Sequence, residues 1–400
     1  MRILVVHNFH RKGSSSGDDQ VFKSETRLLE KEGFQIVKYT VSNDSFDQKN
    51  VFGKIWMTIG MIWSFKRYKE IQFIIEQNKP DIMHVHTFFP LLSPSVLYAA
   101  KRKRIPVVAT LHDTRFICPS AYSLRNQQLC IECGDGHYSR MCRNKCYKNS
   151  TIQSLILAVI FKYHRIRKSF YKQIDRYICL NDNQIKMLVD IGFDPKKIVK
   201  KYNFVEASNE TIKETGKLNL PEKYVAYFGR IGEEKGIWHL MNIWDSLPDI
   251  PIVIMGGGPL DAEISKWGNS HRNVYYLGYT EHDLCLSIVK GCEFVVFPSI
   301  CYEGCSMIVI EAQSLGKSIV AFDVGFSSEA IVDGYNGYKA QLGDDEAFRN
   351  IVKRLFMSPN NCIEMGKNAK EEYEKKYTEE INARQIKEIY NNVLAEEQDV

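Results

Sequence analysis

No run of apolar residues in this 400-residue chain is long enough to cross a bilayer. The longest, Ile55 to Trp63 and Ile152 to Phe161, fall well short of the about 20 residues that a membrane helix requires. Met1 and Arg2 lead straight into a strand-like segment, so no signal peptide is expected. Short-period repeats, low-complexity segments and nucleic-acid recognition motifs are also missing. These absences suggest a cytoplasmic protein and leave open a peripheral place on the inner face of the cytoplasmic membrane. Eleven cysteines, an odd number, are then expected to stay mostly reduced.

Negative charge is scarce in the first half. Residues 1–205 carry 34 Lys and Arg against 17 Asp and Glu, a net +17, while the remainder carries 19 against 31, a net −12. The basic residues cluster at Lys101–Arg104, Lys162–Lys172 and Lys196–Lys201, and the aromatics Trp56, Trp63, Phe65, Tyr68, Phe161, Tyr163, Phe170 and Tyr171 are interleaved with them. That mixture fits an anionic membrane surface as a partner. Ordinary solvated helix faces would also produce it. Nucleic acid is not expected, because the acidic half would repel a long duplex.

Four cysteines stand apart. Cys130, Cys133, Cys142 and Cys146 form C-x2-C-x8-C-x3-C inside a polar insertion, 116–150, with little apolar content of its own. A structural zinc held by four thiolates would supply the missing stability, and loose reduced thiols are the alternative.

What the chain has in quantity is alternation. Apolar runs of strand length recur at Ile3–Val6, Gln35–Tyr39, Ile82–His86, Val107–Leu111 and Tyr177–Leu180, with helix-like segments between them. After Pro221 the pattern restarts at Tyr224–Phe228, Ile252–Met255, Val274–Leu277, Phe294–Phe297 and Ile319–Phe322. Such alternation predicts α/β architecture with parallel sheets and crossover helices. Two domains follow, 1–205 and 221–378, joined by a polar linker over 206–220.

Within the second half, Phe294–Phe297 runs into a Gly-containing loop and then a predicted helix, Ser306–Leu315, ended by Gly316. Amides at such a helix start suit a phosphate or a sugar hydroxyl. Glu303 in the loop and Glu311 on the helix stand eight positions apart, and carboxylates are good acceptors for hydroxyl groups. Spacing alone leaves surface glutamates equally open. Arg230 and Lys235 follow the first strand of the second domain, where a guanidinium fork and an ammonium would both suit a diphosphate.

Here the segment resembles the E-x7-E signature of retaining family 4 glycosyltransferases. Other stretches agree in order: Gly229–Gly236 resembles G-R-x-x-x-x-K-G, Gly256–Gly258 with Pro259 a glycine turn, Val274–Gly278 the next strand and turn, and Asp333–Gly337 a D-G-x-x-G ending. His112 to Pro119 resembles an H-D/N-x-R-x-x-C-P run followed by cysteines. The resemblance implies the GT-B fold, two facing Rossmann-like domains with a donor cleft between them, and a C-terminal helix, 379–400, returning to the first domain. It implies a nucleoside-diphosphate-sugar donor, with Arg230 and Lys235 on the diphosphate, Glu311 on the ribose and Glu303 on the transferred sugar. Gly304, Cys305 and Ser306 would hold sugar hydroxyls or phosphate. Gly17, in the loop Ser14–Asp19, Gly256, Gly257, Gly258, Gly278 and Tyr279 would complete the donor site, and His112 would face the donor sugar. Catalysis is expected from Glu303, His112, Arg230 and Lys235.

Retention of configuration is implied to follow a front-face route, since no carboxylate can be placed beneath the anomeric carbon. No catalytic metal is expected, because no D-x-D ends a strand. The acceptor would be a lipid-linked saccharide in the synthesis of a bacterial surface polysaccharide. A nucleotide-sugar epimerase of the same fold and a catalytically silent anion-binding scaffold remain as alternatives.

Overall fold

A computed structural model describes residues 1–11, 16–47, 50–206 and 218–398. Ser14 and Ser15 of the glycine loop, and residues 207–217 of the expected linker, lie outside the described residues. The chain divides into two compact units. The first comprises Met1–Ser123, Cys130–Tyr202 and Asn382–Val400, and the second comprises Leu124–Leu129 and Asn203–Ile381.

In chain order the first unit contributes β1 Arg2–Phe9, β2 Gln35–Ser42, β3 Ile82–Thr87 and β4 Val107–Thr110. A two-residue-per-strand hairpin follows, β5 Leu124–Arg125 and β6 Gln128–Leu129, which is counted with the second unit and packs Leu124 and Leu129 on that unit's core. Then come β7 Arg176–Cys179 and β8 Ile198–Lys200. The six-stranded sheet has the order β2-β1-β3-β4-β7-β8 and is parallel throughout. Its central strands are apolar runs because helices cover both faces. The helix Glu379–Gln398 brings Ile386, Ile389, Tyr390 and Val393 into a core with Ile3, Val5, Phe22, Leu29 and Ile82.

The second unit holds β9 Val225–Phe228, β10 Ile252–Met255, β11 Val274–Gly278, β12 Val295–Phe297, β13 Ile319–Phe322 and β14 Gly337–Ala340. Its order is β11-β10-β9-β12-β13-β14, again all parallel. Both sheets reverse direction at one place, between β1 and β3 in the first unit and between β9 and β12 in the second. Open α/β sheets bind ligands outside the carboxyl ends of the strands at such a reversal. The edge strands β8 and β14 are additions to the runs expected from sequence. The helix expected from Val21 starts a turn earlier, at Gly17, and the one expected over Ser306–Leu315 is Met307–Ser314 with Ser306 as its N-cap.

Candidate active site

In the second unit, the loop after β9 carries Arg230 and Lys235, and the loop after β12 carries Glu303, Gly304, Cys305 and Ser306. Both leave the carboxyl ends of strands that flank the reversal. The Lys235 ammonium pairs with Oε1 of Glu303, and the Ser299 hydroxyl donates to the same oxygen at 2.9 Å. Burial works against the Lys235 charge, yet the Glu303 carboxylate outweighs it and raises the lysine above its usual pKa. Arg230 Nε lies 3.1 Å from Glu234 Oε1. Each of the two cations is thus paired with a carboxylate, Lys235 with Glu303 and Arg230 with Glu234.

Glycines bring these loops close. Gly236 has φ +70°, and a Cβ there would stand 1.8 Å from the carbonyl oxygen of Pro298, which holds the Lys235 loop against the start of the Glu303 loop. Gly256, at φ +141°, approaches the Gly229 carbonyl equally closely. Gly258 likewise crowds the Ile231 carbonyl, whereas Gly257 has ordinary clearance. Two of the three glycines expected at the donor are therefore demanded by backbone packing alone. Gly278, φ +66°, ends β11, and the Tyr279 side chain after it is exposed.

Glu311 sits on the helix Met307–Ser314, only 6% exposed, and its Oε1 lies 2.9 Å from His282 Nε2. That hydrogen bond, against some burial, raises the histidine above its usual value. The Ser306 hydroxyl makes no capping bond to this helix.

In the first unit, His112 follows β4, with Nε2 3.1 Å from Nδ1 of His86 and the two rings stacked at 5.3 Å. Burial holds His112 well below the usual imidazole value. His84 and His86, alternating on β3, share a face and are both buried, with ring centroids 4.5 Å apart. Nearby, His7 and His10 share one oxygen of Asp19, at 2.9 and 3.1 Å. Gly17 begins its helix with open space where a Cβ would be, so no steric demand selects glycine there.

In the cysteine insertion Cys133 is buried, and Cys130, Cys142 and Cys146 are half-buried. Cys142 turns its thiol to the Tyr138 carbonyl at 3.7 Å. Burial pushes the Cys133 thiol up to about 12, and the thiols of Cys118, Cys146 and Cys130 add to that shift. Among the described residues no three of these thiols gather within 4.8 Å of one another.

Sequence reasoning passed over Glu25, Lys201 and His282. Glu25 left a readable trace, since it lies between Val21–Phe22 and Leu28–Leu29 on the apolar stripe of its helix, where a charge is out of place. Lys201 and His282 carried no comparable signal.

Residues 208–372 match the family described as Glycosyl transferases group 1, and residues 20–209 match Glycosyltransferase Family 4. An uncharacterised glycosyltransferase of Methanocaldococcus jannaschii is 25% identical over 84% of this chain and 82% of its own. The capsular polysaccharide biosynthesis glycosyltransferase CapM of Staphylococcus aureus is 22% identical over 54% of this chain, which spans 57% of that relative. Among solved structures, HepE of Anabaena in complex with UDP superposes with a TM-score of 0.67 at 17% identity, covering 98% of this chain and 100% of that one. With the two family matches running in succession from residue 20 to residue 372 and this fold beneath them, the chain belongs to the group 1, family 4 glycosyltransferases and has their GT-B fold.

Proposed function

We propose that the enzyme transfers a sugar, with retention of configuration, from a nucleoside-diphosphate sugar to a lipid-linked saccharide at an anionic membrane face, in the synthesis of a bacterial surface polysaccharide. The observation that carries the donor half is the grouping of Arg230, Lys235 and Glu303 at the β9/β12 reversal, with Glu311 on the helix that follows. Arg230 and Lys235 neutralise the charge that develops on the leaving diphosphate, which stands in for a metal ion. Glu303 holds the transferred sugar, Glu311 the ribose hydroxyls, and His112 a hydroxyl of the donor sugar. Gly304, Cys305 and Ser306 lie at the helix start, where phosphate or sugar hydroxyls are favoured. Gly17, Gly257, Gly278 and Tyr279 complete the donor site. The leaving phosphate itself accepts the acceptor proton on the front face. HepE, of the same fold, was solved with UDP, and CapM is named for capsular polysaccharide, which favours this donor class and this product class.

The membrane half rests on the helix Thr151–Ile166. Ile152, Leu155, Val159, Tyr163 and Ile166 are all exposed along one side of it, beside exposed Lys162, Arg167 and Lys168. An apolar stripe with flanking cations suits the interface of an anionic bilayer. No described helix is long and apolar enough to cross one. A structural zinc on the cysteine insertion stays part of this reading. Elemental analysis giving about one zinc per chain supports it, and a value near zero removes it.

A panel of UDP-, GDP- and ADP-sugars, incubated with polyprenyl-diphosphate-linked acceptors in the presence of a chelator, tests the whole. Acceptor-dependent release of nucleotide with an axial-to-axial product by NMR is the expected result. Release that needs no acceptor, or an inverted product, refutes it.

A further inference from the structure

One buried polar cluster in the first unit plays no part in the reading above. Glu25 is 1% exposed, and its Oε2 is held by the Lys201 ammonium at 2.6 Å. Its other oxygen, Oε1, stands 3.3 Å from Nε2 of His86 and 3.5 Å from Nδ1 of His84. His84 is committed at both nitrogens, to the Tyr390 hydroxyl at 2.7 Å and the Thr110 hydroxyl at 2.8 Å. His86 passes the connection on, because its Nδ1 lies 3.1 Å from Nε2 of His112. The backbone singles out the same residue. Pairing of β1 with β3 steps from Val6↔Val85 to His7↔Thr87, so His86 is the extra residue of a bulge, a device that re-aims a side chain.

Glu25, His84 and His86 have donor atoms within 4.8 Å of one another, which is also the spacing of a metal site. Lys201 already supplies the positive charge there, and a metal ion beside its ammonium would be repelled. The cluster is better explained by hydrogen positions. An imidazole pair joined nitrogen to nitrogen requires one donor and one acceptor. The carboxylate oxygen beside Nε2 of His86 favours the tautomer with its hydrogen on that nitrogen. The contact is long and poorly aligned, so it acts chiefly through charge. Nδ1 of His86 then accepts, Nε2 of His112 donates, and the lone pair of His112 is left on Nδ1. Burial holds His84 and His112 well below the usual imidazole value.

We propose that Glu25 and His86 are positioning residues that fix His112 in its Nε2–H tautomer, so that this imidazole meets a substrate hydroxyl as a hydrogen-bond acceptor through Nδ1. The proposal rests on the reading of His112 as substrate-facing, and its test is separable from that reading. Long-range proton–nitrogen NMR on protein labelled with ¹⁵N-histidine reports which ring nitrogen carries the hydrogen, with the two signals assigned by their loss in His86→Gln and His112→Gln. The wild type should show hydrogen on Nε2 of both rings. The double variant Glu25→Gln/Lys201→Met removes both charges together and so leaves neither buried alone. It should show His112 as a mixture of tautomers, and kcat with the preferred donor of the nucleotide-sugar panel should fall about tenfold or more with KM changed less than about threefold. His86→Phe, which keeps a ring but deletes the acceptor, should release the His112 tautomer in the same way and serves if the double variant does not fold. Hydrogen on Nδ1 of wild-type His112 overturns the proposal, as does an unchanged tautomer in the folded variants. A wild type that shows the expected tautomer but turns over no nucleotide sugar refutes the functional reading and leaves the relay standing.

Discussion

At Glu311 one carboxylate oxygen is already engaged by His282, so the ribose hydroxyls assigned to it must compete with an imidazole. The pairing raises the His282 pKa above 6.5, and it therefore stabilises the fold below that value and stops doing so as pH rises through the raised one. Deprotonation on the same rise weakens the hold on the carboxylate. Donor affinity measured by calorimetry is thus expected to increase from pH 6 upward through the His282 titration, and to lose that increase in His282→Ala. Removing the acceptors and donors themselves has a larger effect. Glu311→Ala and Arg230→Ala are each expected to weaken donor binding by roughly 1.5–3 kcal/mol for each hydrogen bond to a charged group lost. Wild-type affinity in both would count against the site. Arg230, Lys235 and Glu303 drew notice in sequence because each lies in a glycine-bearing loop after an apolar strand, and Glu311 because it stands eight positions beyond Glu303 on the helix that follows. His282 was not, since nothing in its own neighbourhood ties it to a carboxylate 29 residues away.

Among elements, the turn at Gly236 is, with that at Gly256, one of the two tightest joints of the candidate site. Gly236→Ala forces a positive φ and a clash with the Pro298 carbonyl, and on the order of 3 kcal/mol of stability should be lost, read from the urea midpoint. The helix Thr151–Ile166 should behave in the opposite way. Leu155→Asp and Ile166→Asp sit at exposed positions and should change stability by no more than about 0.5 kcal/mol. They should nevertheless abolish flotation with anionic vesicles at low salt, and retained flotation would remove the membrane from the proposal. The eight interior strands were readable because burial on both faces demands unbroken apolar runs, and the edge strands β2 and β11 keep enough apolar residues to be found with them. The edge strands β8 and β14 escaped notice for the converse reason. Ile198–Lys200 lies among lysines and is only partly buried, and Gly337–Ala340 opens on a glycine and holds half-buried Tyr338 and Lys339 between its buried ends, so neither forms an apolar run. In the cysteine insertion, spacing pointed to Cys130, Cys133, Cys142 and Cys146 together, and the Cys142 thiol meets the Tyr138 carbonyl.

At the scale of the whole molecule, the first unit is assembled from distant parts of the chain. Asn382 donates to the Tyr202 carbonyl 180 positions earlier, and Tyr390 meets His84 across 306 positions. Truncation after Ile381 would strip Ile386, Ile389, Tyr390 and Val393 from a core they share with the central strands. Such a chain is expected to lose the first unit's unfolding transition in calorimetry and to become protease-sensitive there, while the second unit's core, which uses none of these residues, stays intact. Survival of both transitions would show the helix to be an accessory. This threading also bears on synthesis. Domains usually fold in the order in which they leave the ribosome. Here the unit begun first lacks part of its interior until residue 393 has been made, whereas residues 203–381 can close around their own core beforehand. The nascent protein must therefore keep its earliest strands soluble while a later piece matures ahead of them, and its dependence on chaperones should centre on those strands.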